Sequence, residues 1–209
     1  MEKFIERKEF WDKVYDEKPL ESSGWFQAIP KESLDLIKVS ELDNSAKIID
    51  VGGGDSLLAD HLLRIGFENV TVLDISQKAI ERAKKRLGSE SDKINWICTD
   101  IRTFEPSETY TIWHDRACLH FLTDDKDIEI YRRVATSALG FGGKLILGAF
   151  SMTGPLMCSG LPIRQYDAKA LSELFSSDFK YIQDFETFHT TPSASIQNYV
   201  FCTFEKLSK

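Results

Sequence analysis

At 209 residues the chain can bury one well-formed core and is too short for two ordinary domains. A net charge of −7 argues against a nucleic-acid partner, because phosphates would be repelled, and the basic run Lys84-Lys85-Arg86 reads as the solvated face of a helix. Apolar runs fall short of a membrane span, and the N-terminus lacks the apolar core of a signal peptide. The scattered cysteines Cys98, Cys118, Cys158 and Cys202 form no CxxC pair and lie mostly in apolar, buried-looking contexts. A reduced cytoplasmic protein with no metal site is the expectation.

Residues 3–17 read as a helix carrying Trp11, Val14 and Tyr15, stopped by Pro19. A loop over 18–30 holds the adjacent aromatics Trp25-Phe26, which either lid a pocket or anchor the loop. A second helix, about 31–42, sets Leu34, Ile37 and Leu42 on one face for packing. From Ala46 onward strands and helices alternate. Strand 47–51 leads to helix 55–65, with Gly66 as its stop. Strand 70–73 leads to helix 77–87, with Ser76 as N-cap and Gly88 as stop. Strand 94–98 follows, then strand 110–114, a helix over 124–139 opened by Thr123, and strand 144–150. This βαβ series predicts a mostly parallel sheet with helices on both faces. A long loop, 152–166, a helix over 167–175 and two antiparallel strands, about 179–189 and 198–205, close a single domain.

The densest chemistry lies at Asp50-Val51-Gly52-Gly53-Gly54-Asp55-Ser56, where a buried strand meets a helix start through bare backbone. A glycine turn alone is a weak motif, and it equally serves as a plain strand-to-helix connection. Acids also end the next three strands, at Asp74, Asp100 and Asp115, and ligands of open α/β sheets bind outside the carboxyl ends of strands. Asp74 is positioned for ribose hydroxyls. Asp100 is positioned for an adenine amino group, with Ile75 and Ile101 able to sandwich the ring. A dinucleotide would bring its pyrophosphate against Asp50 and Asp55, which repel it, whereas a sulfonium and an ammonium are attracted. The sign of charge therefore favours S-adenosyl-L-methionine over NAD.

The blocks 48–56, 70–76, 94–101, 113–122 and 142–150 together resemble the successive motifs of the class I S-adenosylmethionine-dependent methyltransferases. Phe10-Trp11-Asp12-Lys13-Val14-Tyr15, with Trp25-Phe26 after it, is similar to the Trp-x-x-x-Tyr cap of a methyltransferase-like subgroup that modifies protein lysine. That subgroup follows its fourth-strand aspartate with Lys-Gly-Thr. Here His114-Asp115-Arg116-Ala117 departs from it, which argues against a lysine acceptor. The resemblance implies a Rossmann-like, doubly wound, seven-stranded sheet with an antiparallel C-terminal strand. It divides the chain into a helical cap (1–45), a cofactor-binding core (46–150) and a substrate-side remainder (151–209). It also implies that Gly52, Gly53 and Gly54 pass beneath the methionine and Asp50 orients its ammonium. Asp74 holds ribose, Asp100 and Ile101 hold adenine, Asp115 lies near the reacting methyl, and Trp11, Tyr15 and Trp25 cover the site.

Methyl transfer demands mainly positioning in a water-poor pocket, with a base only if the nucleophile arrives protonated. His114, Asp115 and His120 are the candidates for that role. His120, beside Phe121 and Leu122, reads as a satisfied, partly buried histidine. Arg116 either pairs with Asp115 or meets a substrate anion, and Arg164 and Tyr166 sit in the long loop where such folds build specificity. A monomeric methyltransferase for a small-molecule acceptor is the leading expectation. A protein lysine methyltransferase and a non-catalytic S-adenosylmethionine-binding module are the alternatives.

Overall fold

The computed structural model describes residues 2–40 and 42–208. Helix α1 (Glu2–Glu17) and helix α2 (Lys31–Val39) precede strand β1 (Lys47–Val51), helix α3 (Leu58–Arg64), strand β2 (Asn69–Asp74) and helix α4 (Gln77–Leu87). Strands β3 (Ile94–Cys98) and β4 (Tyr110–Arg116), helix α5 (Asp125–Ala138) and strand β5 (Leu139–Phe150) follow. A small hairpin, β6 (Met157–Cys158) and β7 (Leu161–Pro162), interrupts the segment expected to be plain loop. Helix α6 (Ala168–Phe175) and strands β8 (Phe179–Thr190) and β9 (Ile196–Lys206) complete the chain.

The seven main strands run in the order β3-β2-β1-β4-β5-β9-β8. Pairings from β3 across to β5 are parallel, while β9 is antiparallel to both β5 and β8. The expected mixed sheet is present. Successive side chains of a strand face opposite sides, and in β1 both sides are dry: Ile48 and Ile49 are each fully buried, in separate clusters. Ile48 packs with Ile37 of α2 and Leu62 of α3, whereas Ile49 packs with Trp113 and with Tyr131 of α5. Each such side chain contributes about 1.5–3 kcal/mol of transfer free energy.

Several ends differ from expectation for local reasons. Helix α3 begins at Leu58, because Ser56 first closes a turn onto the Gly53 carbonyl at 2.8 Å. Asp124, not Thr123, caps α5 by accepting from the Lys126 amide. Ser76 caps α4 as expected, accepting from the Ala79 amide at 3.2 Å. Strand β4 runs two residues past His114, to Arg116, which pairs with Gly148.

The C-terminal half of helix α1 is tied to α4 by two sets of contacts. The Asp12 carboxylate accepts from Ser76 Oγ (2.7 Å) and the Lys78 amide (3.1 Å), placing negative charge at the N-terminus of α4. The Arg82 guanidinium donates to the Tyr15 and Lys18 carbonyls, which the end of α1 leaves unpaired. Trp11 and Tyr15 are thereby held over the sheet.

Candidate functional site

A cavity opens at the carboxyl ends of β1, β2 and β4, roofed by α1 and the loop that follows it. It is lined by Asp50, Gly52, Gly53, Asp74, Ile75, Asp100, Ile101, His114, Arg116, Trp11, Tyr15 and Trp25, all singled out in the sequence. The roof is aromatic. Trp11, Tyr15 and Trp25 lie 5.5–6.3 Å apart between ring centres, and Trp11 meets Phe121 edge-on at 5.0 Å.

The turn after β1 needs glycine for identifiable reasons. Gly52 and Gly54 have φ of +68° and +50°. A Cβ on Gly54 would come within 2.6 Å of the Tyr15 hydroxyl, and one on Gly53 would collide with the Asp50 carboxylate. Gly54 supports the turn under Tyr15, while Gly52 and Gly53 face the cavity.

Asp50 is 3% exposed, and its Oδ1 lies 2.7 Å from His114 Nδ1. His114 Nε2 lies 2.8 Å from Ser33 Oγ of α2. A carboxylate only accepts, so Nδ1 donates to Asp50 and Nε2 accepts from the serine hydroxyl. This buried Asp50–His114–Ser33 chain was not foreseen, since α2 read only as packing. Asp74 Oδ1 accepts from the Ser76 amide at 2.7 Å, and burial, reinforced by Asp55 and Asp50, pushes its carboxyl up to about 7. Asp100 is 3% exposed and takes Arg102 through several bonds. Burial pushes that carboxyl up, but the guanidinium outweighs it and holds it below the ordinary value.

Three expectations need correction. Asp115 does not line the cavity: its Oδ2 accepts from Tyr131 Oη (2.5 Å) and the Leu119 amide (3.0 Å), and its Oδ1 from the Cys118 amide (2.7 Å). Side-chain alternation is the cause. His114 and Arg116 share one face of β4, with Asp115 on the other, against α5. Arg116 accordingly does not pair with Asp115. Its Nη1 donates to the Trp25 carbonyl at 3.1 Å and its guanidinium sits 4.7 Å from the Tyr199 ring centre. Asp55 also turns away, 2.9 Å from Arg82 beneath α1, so only Asp50 of the two turn acids faces the cavity.

Neither residue proposed from the long loop lines the cavity. Arg164 pairs with Asp125 at the surface, and Tyr166 is 4% exposed within the α5–α6 core cluster. His120 is wholly buried, its Nε2 has no partner, and burial pushes its pKa down to about 3. Among the four free cysteines only Cys202 is buried; Cys118 and Cys158 line the cavity half-buried, and Cys98 is exposed. Tyr199, Gln197 and Ser33 also line it without any signal in the sequence, because each belongs to an element read as packing or closing strand.

An S-adenosylmethionine-type ligand fits these residues. Bare glycine backbone, the carboxylates of Asp50, Asp74 and Asp100, and Ile75 and Ile101 in the same lining match a cationic, ribose-bearing molecule. Strand order, glycine turn and acidic rim together define a nucleoside-binding doubly wound domain. Residues 48–143 match the family described as Methyltransferase domain, so this segment is similar to the class I S-adenosylmethionine-dependent methyltransferases. It is 24% identical over 126 residues to the eEF1A lysine and N-terminal methyltransferase of Mus musculus, covering 58% of this chain and 18% of that protein. The chain spans only 18–39% of the first three curated relatives it matches. A protein from the conversion of a disulfide bond into a thioacetal group during echinomycin biosynthesis shares the fold, with a TM-score of 0.77, 19% identity and coverage of 96% and 93%. The N-methyltransferase NodS of Bradyrhizobium japonicum, in complex with S-adenosyl-L-homocysteine, also shares it, with a TM-score of 0.67, 16% identity and coverage of 93% and 91%. Among the described residues no helix is long and apolar enough to cross a membrane.

Proposed function

We propose that this protein transfers a methyl group from S-adenosylmethionine to a small-molecule acceptor. The observation that carries the proposal is the acid-rimmed cavity above Gly52 and Gly53, roofed by Trp11, Tyr15 and Trp25. Such a roof suits an acceptor that fits inside better than a folded protein surface. The mouse relative is named for a protein acceptor and the NodS name specifies no acceptor, so the cavity carries the choice.

When bound, S-adenosylmethionine supplies an activated methyl group on a cationic sulfonium. Gly52, Gly53 and Asp50 would hold the amino-acid part, with the Asp50 carboxylate available to its ammonium, Asp74 would accept from the ribose hydroxyls, and Asp100, Ile75 and Ile101 would hold the adenine. The aromatic roof excludes water and fixes the line of approach, the contribution that matters most when the electrophile is already activated. His114 is the cavity's base: a proton taken at Nε2, directly or through Ser33 Oγ, is balanced by Asp50 at Nδ1. Asp115 instead holds the turn at 118–119.

We read the chain as one domain, with cap 1–45, core 46–150 and remainder 151–209, acting as a cytoplasmic monomer without a nucleic-acid partner. Free cysteines and a net charge of −7 support that reading. Calorimetry with S-adenosylmethionine followed by transfer of its labelled methyl group to fractionated lysate tests the function. Heat of binding and label in the low-mass fraction are expected. Label confined to protein bands overturns the small acceptor, binding without label favours a non-catalytic module, and no heat and no competition by S-adenosylhomocysteine overturns the whole reading.

A further inference from the structure

The glycine-turn side of the cavity is rich in acids; on the side toward β9 it carries the cation Arg116. Arg116 leaves β4 on the cavity face, and its guanidinium lies over Tyr199 of β9. Arg116 stands on β4, two strand steps or roughly 10 Å from β2, which carries Asp74, and its side chain reaches toward Tyr199 on the far side. Both residues line the cavity, with the guanidinium directed away from β2 toward Tyr199 of β9.

The Arg116 guanidinium is incompletely satisfied. Nη1 donates to the Trp25 carbonyl, but Nη2 is buried and has no hydrogen-bond partner among the described residues. No carboxylate among the described residues neutralises it. The adjacent Asp115 is spent on Tyr131 and two amides, on the opposite face of the strand. Groups that do feel Arg116 bear no negative charge: His120, His189, Tyr199 and Cys158. His120 and His189 are held toward the neutral form by burial and by Arg116 itself, so neither adds a competing cation. A guanidinium nitrogen buried without a partner, on a side chain that is itself half-buried, is costly unless something pairs with it. Guanidinium N–H groups suit the oxygens of a carboxylate, and the Tyr199 ring beside it, with Phe121 in the same cavity wall, offers apolar surface for the rest of such a molecule.

We propose that Arg116 is the anchor for a carboxylate on the methyl acceptor, which makes the substrate class a small carboxylic acid with an apolar body. The inference rests on the cavity being a methyl-transfer site. A second source of the same chemistry, the carboxylate of the cofactor's own methionine, is separated by experiment.

The full chain and its Arg116→Gln and Arg116→Lys variants are first titrated calorimetrically with S-adenosylhomocysteine, which carries that carboxylate, and with 5′-methylthioadenosine, which lacks it. The expected result is that Arg116→Gln changes both affinities by no more than about twofold. A loss beyond about tenfold for S-adenosylhomocysteine alone assigns Arg116 to the cofactor and overturns the proposal. With S-adenosylhomocysteine saturating, the Trp11 and Trp25 fluorescence then reports titrations with benzoate, phenylacetate and indole-3-acetate, each against its neutral amide. Wild type should prefer at least one acid over its amide by about tenfold, Arg116→Gln should lose that preference, and Arg116→Lys should keep part of it. No preference in wild type, or one that survives in Arg116→Gln, overturns the carboxylate anchor while leaving methyl transfer intact. Absence of S-adenosylhomocysteine binding to wild type instead defeats the underlying function, and this inference with it.

Discussion

Asp74 and Asp115 look alike on paper and do different work in the fold. Both end parallel strands, both are buried, and burial raises both, to about 7 and about 6. Asp74 spends Oδ1 on the Ser76 amide and lines the cavity. Asp115 gives both oxygens to three donors of its own chain and faces α5. Strand parity decides between them: Asp50 pairs in register with His114, and Val51 with Asp115, so the cavity face takes the first pair and the core takes the second. An acid at a strand end acquires a ligand role only from the face on which it emerges.

The largest break in that comparison should come from Asp74→Ala, with S-adenosylhomocysteine affinity falling about tenfold or more, as expected when charge-assisted hydrogen bonds are removed. Unchanged affinity by calorimetry would remove Asp74 from the ribose. Its titration sharpens the point. Ribose hydroxyls donate to the ionised carboxyl, so binding must expel a proton below about pH 7. Wild-type affinity should therefore rise by up to about tenfold per pH unit from pH 5 to 7 and level off above. Asp74→Asn should flatten this profile. Stability of the ligand-free protein moves oppositely. A carboxyl raised in the folded state holds its proton more tightly there, so this group's contribution declines as pH rises from its unfolded value of about 3.9 toward 7.

Asp115→Asn should act on stability instead. The asparagine NH2 group would confront donors that now bond an oxygen, at a cost of about 1–3 kcal/mol, with S-adenosylhomocysteine affinity held within about twofold. Denaturant titration and calorimetry on the same sample read both quantities. Lost affinity with unchanged stability would return Asp115 to the site.

The donor half of the cavity was legible because local rules fix it. A glycine turn, strand-end acids and the Ser76 cap each announce themselves within a few residues. Asp115 was misread although the information was present: once His114 faces the cavity, period-two alternation sends Asp115 away. Ser33, Asp12 and Arg82 were illegible for another reason. Their partners His114, Ser76 and Tyr15 lie at least 64 residues away in sequence, so only the assembled fold brings them together. The hairpin β6–β7 is too short to leave a periodic signal.

Tyr166 offers the smallest effect, and its sign is informative. As a substrate-side residue its hydroxyl would hold the acceptor, and Tyr166→Phe would raise KM. The side chain instead lies among Leu171 and Phe175 of α6 and the α5 residues, with a buried hydroxyl that has no partner. An unsatisfied buried hydroxyl costs free energy, so deleting the oxygen while keeping the ring should leave stability unchanged or raise it by up to about 1 kcal/mol, some 2–4 °C in a chain of this size. Methyl transfer should not change. A raised KM at unaltered melting temperature would show that the loop after β5 folds over the acceptor during turnover, and would move the specificity boundary from Arg116 and Tyr199 toward Tyr166.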